Sequence, residues 1–305
     1  MSAAAPEDGA EHVRAEHVHA VPVGTPDGAA RDVVARARTV LDLLLDDVRC
    51  DLLAVAGDAD VTMKPDGSPV TPHDGRTDER LVTALLDAFP DHGAVSEERE
   101  HVAPATDWTW VLDPIDGTSN FIAGLPYWCV SVALCLEGVP VLGVIEAPAL
   151  ASRYVATAGE GATEHGPTGT RRLHVRRPVD LRSRESAHVP GMYSGGAARD
   201  LHADGVRLNS RVMGASALDL AMVARGTAPV SVALGPHVWD VAAGVLLVVE
   251  AGGAVLGAGQ RPLLPLEPGR DYVDTVVRTA AASDQGTARA ALDAVARGRH
   301  RRAAG

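Results

Sequence analysis

The chain has 305 residues, long enough to bury a large core in one domain or two. Of these, 46% are hydrophobic but only 3% aromatic, so Val, Leu and Ala must fill that core. A formal net charge of −12 excludes general affinity for nucleic acid or anionic membrane, and a phosphorylated substrate would need locally bound cations to be attracted.

In chain order, residues 1–27 are rich in Ala, His, Glu and Gly and contain the echo Ala10-Glu-His-Val13, Ala15-Glu-His-Val18. They read as a disordered tail, and His12, His17 and His19 as tail residues rather than metal ligands. No basic-then-apolar leader precedes them, so a cytoplasmic protein is expected. Residues 29–56 carry a helical stripe of Val33, Val34, Ala37, Val40, Leu41, Leu44, Leu45 and Val48. Pro65-Asp-Gly-Ser-Pro69 spells a turn at a hairpin tip. Residues 75–89 read as a helix through Leu81, Leu85 and Leu86, stopped by Pro90. Val111–Asp113, Cys129–Glu137 and Val139–Ala147 read as strands, the last two joined tightly at Glu137-Gly138.

The Gly/Thr/Pro-rich stretch 159–170 separates an N-terminal α+β half, 28–170, from a C-terminal α/β half, 171–298. In the second half, strands are predicted near 172–176, 185–189 and 230–234, and helices near 215–226, 240–251 and 284–297. Residues 299–305 read as a frayed basic end. No repeat is visible, and no apolar run reaches the roughly 18 residues of a membrane span. Cys50, Cys129 and Cys135 form no CxxC pair, which argues against a disulfide framework or a zinc ribbon. The expected fold class is α+β, in layers with mixed sheets.

Five segments carry chemistry. In Trp110-Val-Leu-Asp-Pro-Ile-Asp-Gly-Thr-Ser-Asn-Phe121, a β-prone run delivers Asp113, and Asp116-Gly117-Thr118 follows with helix-starting residues. Two carboxylates three residues apart suit a hard cation, and the Gly-Thr amides suit an anion. Val95-Ser-Glu-Glu98 offers Glu97 or Glu98 as a third carboxylate; alone, such a pair is a solvated face. Lys64-Pro-Asp-Gly-Ser-Pro-Val-Thr-Pro-His-Asp74 is a turn bearing a Lys, then a helix opened by Asp74; alone, it is a hairpin followed by an N-cap. Val238-Trp-Asp-Val-Ala-Ala-Gly-Val-Leu-Leu-Val-Val-Glu-Ala-Gly-Gly253 is a core helix that starts at Asp240, is small-faced in its first turns and ends at Gly252-Gly253. Arg211-Val-Met-Gly-Ala-Ser-Ala-Leu218 passes from strand to helix through Gly214, and its amides either face a substrate oxygen or make a plain turn.

Together these segments resemble the inositol monophosphatase-like family of metal-dependent phosphatases over roughly residues 30 to 265. The resemblance implies an αβαβα sandwich with mixed sheets and a homodimer. It implies two Mg²⁺, with a third, weaker ion near Glu97. Glu97, Asp113 and the carbonyl of Ile115 would hold the first, and Asp113, Asp116 and Asp240 the second. Thr118, held by Asp74, would orient the attacking water, with Glu97 assisting as base. The amides of Gly117 and Thr118 would bind phosphate, and Lys64 would sit on a loop closing over the metals. Gly214, Ala215, Ser216 and Ala233 would touch the substrate.

The family's inositol phosphatases carry a Glu seven residues before the Asp240 position and an Asp four residues earlier still. Here Ala233 and Pro229 stand in those places. Such losses change selectivity strongly, so myo-inositol phosphate is not the expected substrate. His237 is read either as a pocket residue or as a packed surface His, with His188 and Arg211 as weaker candidates for the specificity wall. The expected activity is Mg²⁺-dependent hydrolysis of a small polyol, sugar, histidinol or nucleotide phosphate. The alternatives are a phosphatase for 3′-phosphoadenosine 5′-phosphate or fructose 1,6-bisphosphate and, in a different class, a non-catalytic metal- and ligand-binding protein.

Overall fold

A computed structural model of the chain describes residues 18–65, 67–259, 261–273 and 277–304. His12, His17 and the Ala10 echo, along with Asp66 of the Lys64 turn, lie outside the described residues.

The first helical stripe becomes α1 (Gly28–Leu53), whose buried Val34, Ala37, Leu41, Leu45, Val48 and Leu52 recur on one face. Next come β2 (Thr62–Met63) and β3 (Pro69–Val70), paired as an antiparallel hairpin. The second helix, α2 (Pro72–Ala88), starts earlier than its apolar spacing suggests. Thr71 and Asp74 close a capping box there, and Pro72 fits the first turn, where no amide bond is lost.

β4 (Gly93–Ser96), β5 (Trp108–Asp116), β6 (Cys129–Leu136), β7 (Val139–Ala147), β8 (Ser152–Thr157), β9 (Gly161–Gly166) and β10 (Gly169–Arg172) form a seven-stranded sheet. Their spatial order is β10-β9-β8-β7-β6-β5-β4, antiparallel throughout except for β4 beside β5. Between β6 and β7, Glu137 and Gly138 adopt φ of 49° and 77°, the left-handed pair a two-residue hairpin requires.

The second sheet joins β1 (Val18–Ala20), β11 (Pro190–Tyr193), β12 (Asn209–Arg211), β13 (Val230–Leu234), β14 (Ala254–Ala258) and β15 (Arg278–Ala282) in the order β1-β14-β15-β13-β11-β12. The remaining helices are α3 (Thr118–Ala123), α4 (Gly195–Ala203), α5 (Ser216–Ala224), α6 (Val238–Glu250) and α7 (Gln285–Ala303). α1 and α2 pack on the seven-stranded sheet, and α4 and α7 on the six-stranded one. α5 and α6 touch both sheets. The layers are therefore αβαβα, as the resemblance implied. One apolar cluster runs from Leu41 of α1 through Val132 of β6 to Leu246 of α6, so the two halves of the sequence share a core. Among the described residues, no helix is long and apolar enough to cross a membrane.

Several expectations are corrected. Val18–Ala20, assigned to the disordered tail, pairs antiparallel with β14; three residues are too few to show a period. Residues 185–189, expected as a strand, begin with a short 3-10 turn. Ser183 heads it, accepting the Glu185 amide at 3.1 Å, and the strand starts only at Pro190. The strand expected at 172–176 ends at Arg172. The basic end is helical to Ala303, because Arg302 Nη1 lies 2.5 Å from Asp200 Oδ1 and Arg301 Nη2 3.4 Å from Asp204 Oδ1.

Candidate active site

The bend that builds the site lies in β5. Asp113 faces Ser131 of β6 and Asp116 faces Cys129, so β5 holds one residue more than its partner over this stretch. That is a bulge, and Pro114, which has no amide to donate, sits inside it. The strand was expected to end at Asp113; it continues through the bulge to Asp116. Both carboxylates thereby line a cavity of about 440 Å³, with Glu97, Ile115, Gly117, Thr118, Asp240 and Lys64. β4, parallel to β5, ends one residue before Glu97. Asp240 comes from the first turn of α6, its Oδ2 accepting the His237 amide at 2.9 Å.

Asp113, Asp116 and Asp74 are held by backbone donors. Asp113 Oδ1 accepts the Ile115 amide at 3.0 Å. Asp116 accepts the amides of Ser216 at 3.1 Å and Ala217 at 2.7 Å, at the start of α5. Asp74 Oδ2 accepts the Thr71 amide at 2.8 Å and hydroxyl at 2.7 Å. The Thr118 hydroxyl lies 3.2 Å from Asp74 Oδ1 and 3.0 Å from the Ile115 carbonyl. Gly117, which precedes α3, has φ 93°, and a Cβ there would come within 3.1 Å of Ala215 Cβ and the Tyr127 carbonyl. Only glycine satisfies both demands.

Burial raises Asp113 and Asp240 well above the usual carboxylate range, and the neighbouring acids add to it. Burial also pushes Asp116 up to about 7, against the pull of its two amide donors. Burial raises Asp74 as well. Lys64 supplies the cavity's one ammonium among its described lining residues, with Nζ 2.9 Å from Glu97 Oε1 and 2.7 Å from Glu98 Oε1. Burial disfavours its charge, yet Glu97 and Glu98 hold its proton above the ordinary lysine range. Among the described residues, no three His, Cys, Asp or Glu side chains are gathered tightly enough to form a ready coordination shell. The carboxylates face one cavity without closing on a point.

A second cavity, of about 160 Å³, is lined from α5 and β13. Gly214, Ala215, Ser216, Asp219, Ser231 and Ala233 are among its lining residues. It adjoins the first because Ser216 binds Asp116, Ala215 abuts Gly117, and its Val241 follows Asp240 in α6. The residues expected to touch substrate thus line this second cavity, next to the carboxylates of the first. His237 lines the first cavity, whereas His188 and Arg211 are exposed and line neither. Ser68, His101, Trp239 and Val273 also line the first cavity. His101 had no periodic signal to mark it; its Nε2 meets the Glu97 carbonyl at 2.8 Å, a contact of the loop after β4.

The pattern of the inositol monophosphatase family matches residues 31–297 of this chain. A Mycobacterium tuberculosis protein named "Probable inositol 1-monophosphatase ImpA" is 34% identical over 247 residues, covering 78% of this chain and 88% of its own. A Pasteurella multocida protein named "Nus factor SuhB" is 33% identical over 208 residues, covering 65% of this chain and 75% of its own. Among solved structures, an IMPase of Thermotoga maritima superposes with a TM-score of 0.71 at 26% identity, covering 87% of this chain and 98% of its own.

Proposed function

The chain belongs to the inositol monophosphatase family and is a phosphoric monoester hydrolase; on that premise we propose that the carboxylate cavity is its active site, where Mg²⁺ and a small phosphorylated metabolite meet. The observation that carries this reading is the donor set. Glu97, Asp113, Asp116, Asp240 and the Ile115 carbonyl offer oxygen alone to one cavity. Burial and mutual repulsion make those carboxylates costly to ionise without a cation. Oxygen-only, acid-rich sites suit Mg²⁺.

Glu97, Asp113 and the Ile115 carbonyl would hold one ion, and Asp113, Asp116 and Asp240 a second, with Asp113 shared. Bound there, the ions acidify water and neutralise charge on the phosphate. The rest falls to the chain's own groups. Asp74, fixed by Thr71, accepts a hydrogen bond from the Thr118 hydroxyl at 3.2 Å, which leaves a Thr118 lone pair to orient a water. Glu97 stands on the same cavity as a base. The amides of Gly117 and Thr118 begin α3 and are suited to phosphate oxygens. Lys64, carried on the turn of the β2–β3 hairpin, would have to release Glu97 for that carboxylate to hold an ion.

For the alcohol half, Ala233 and Pro229 remove the two carboxylates that inositol phosphatases place there, which favours a substrate other than inositol phosphate. Phosphate release would be measured across a panel of polyol, sugar, histidinol and nucleotide phosphates, with and without Mg²⁺. Mg²⁺-dependent turnover is expected, and Asp113→Asn should lower kcat/KM by on the order of a hundredfold or more. Turnover that survives chelation, or that is unaffected by Asp113→Asn, would remove the cavity from the mechanism.

A further inference from the structure

The carboxylate cavity has a second wall made of rings. Trp239, 2% exposed, lies in contact with two imidazoles. His237 stacks on it with centroids 4.7 Å apart and planes at 13°, and His101 meets it at 5.4 Å and 36°. All three rings line the cavity that holds Asp113, Thr118 and Asp240. Both imidazoles are pinned through Nε2 to a backbone carbonyl, His101 to Glu97 at 2.8 Å and His237 to Val273 at 3.2 Å. One face of His237 is taken by Trp239. The side chain is still 38% exposed, which leaves its other face open to a ligand.

Resting on the phosphatase reading of this cavity, we propose that the His101–Trp239–His237 stack selects the alcohol half of the substrate, and that this alcohol carries a planar heteroaromatic ring. A flat ring gains from offset stacking on a flat, rigid partner. A saturated polyol gains from hydrogen bonds instead, and the family's carboxylates for that task are replaced here by Ala233 and Pro229. Nε2 of each imidazole is already committed to a carbonyl, and His237 Nδ1 faces Asp240 Oδ2 at 3.9 Å. The wall therefore offers area to a π system and little to a ring of hydroxyls.

The test compares adenylate and histidinol phosphate with glycerol 2-phosphate in the natural chain, His237→Leu and His237→Phe. Leucine keeps bulk without a π face, and phenylalanine restores the face without the imidazole nitrogens. The ratio of kcat/KM for ring-bearing over acyclic ester is expected to fall roughly three- to tenfold in His237→Leu and to recover in His237→Phe. Calorimetric binding of the ring-bearing alcohol, with inorganic phosphate and Mg²⁺ present, should show the same contrast without turnover. A ratio unchanged by His237→Leu, or a fall that His237→Phe does not reverse, overturns the proposal. Absence of phosphate release from every ester would count against the phosphatase reading instead, and the calorimetric contrast would then decide this proposal by itself.

Discussion

Asp219 sits on α5 with 6% exposure and takes a 2.8 Å hydrogen bond from the Tyr127 hydroxyl. Among the described residues no basic side chain pairs with it. Burial pushes its carboxyl up to about 7, against the Tyr127 bond and with help from Asp116. Folding therefore raises the proton affinity of Asp219. Below about pH 4 both folded and unfolded chains carry the proton and nothing is lost. Between about pH 4 and 7 the unfolded chain ionises first, so stability falls as pH rises. Above about 7 the folded carboxyl is charged too, and the full cost stands. Asp219→Asn keeps an acceptor for Tyr127 and cannot ionise. Its stability advantage over the natural chain should grow from near zero at about pH 4 to at most about 4 kcal/mol above pH 7. Urea unfolding between pH 5 and 8 in chelator reads this directly. A pH-independent difference would mean that the cavity beside Asp219 solvates its charge.

At the scale of elements, close packing on small residues sets where Asp240 lies. α6 runs across β7 at Gly143, where a Cβ would stand 2.8 Å from the Ala243 carbonyl and 3.1 Å from its Cα. Backbone atoms cannot rotate away as a side chain can. Gly143→Ala is therefore expected to cost about 1–3 kcal/mol by overpacking, and to weaken Mg²⁺ binding by shifting the helix that holds Asp240. Gly28→Ala, at the open start of α1 with nothing within 4 Å of the added carbon, should be neutral or slightly stabilising. Thermal melts of the pair separate packing from backbone freedom; equal losses would contradict the packing account. The same elements show what the sequence reveals. α1, β6, β7 and α6 are long or sharply periodic and were legible, as were the local carboxylate motifs at Asp113 and Asp240. β14 and β15 were not, since Ala-Val-Leu-Gly-Ala and Arg-Thr-Ala-Ala-Ala carry little strand preference and owe their place to neighbours. The bulge at Pro114 and the approach of His101 to Trp239 depend on pairing between distant segments, so no local pattern announced them.

Over the whole molecule, a net charge of −12 is distributed unevenly. Asp219 apart, buried acids such as Glu146 and Asp204 are matched by arginine, Glu146 by Arg153 at 2.5 Å and Asp204 by Arg297 at 3.1 Å. Among its described lining residues the cavity has one Lys or Arg, Lys64, which bonds Glu97 and Glu98 rather than Asp113, Asp116 or Asp240, while His237 Nδ1 stands 3.9 Å from Asp240 Oδ2. The metal-free fold therefore bears a charge imbalance that a divalent cation would relieve, and a ligand bound only by the folded state adds to its stability. At about a hundred times its dissociation constant, Mg²⁺ should stabilise the fold by about 2.7 kcal/mol, raising Tm by roughly 4 °C for a chain of this size. Asp113→Asn removes a shared ligand and one of the repelling charges. Its metal-free Tm should exceed that of the natural chain, while saturating Mg²⁺ should add little. Sodium chloride of matched ionic strength separates specific binding from screening. If Mg²⁺ raises the Tm of the variant and the natural chain equally, the stabilisation comes from outer surface charge, and the cavity's carboxylates are then balanced by means other than a metal.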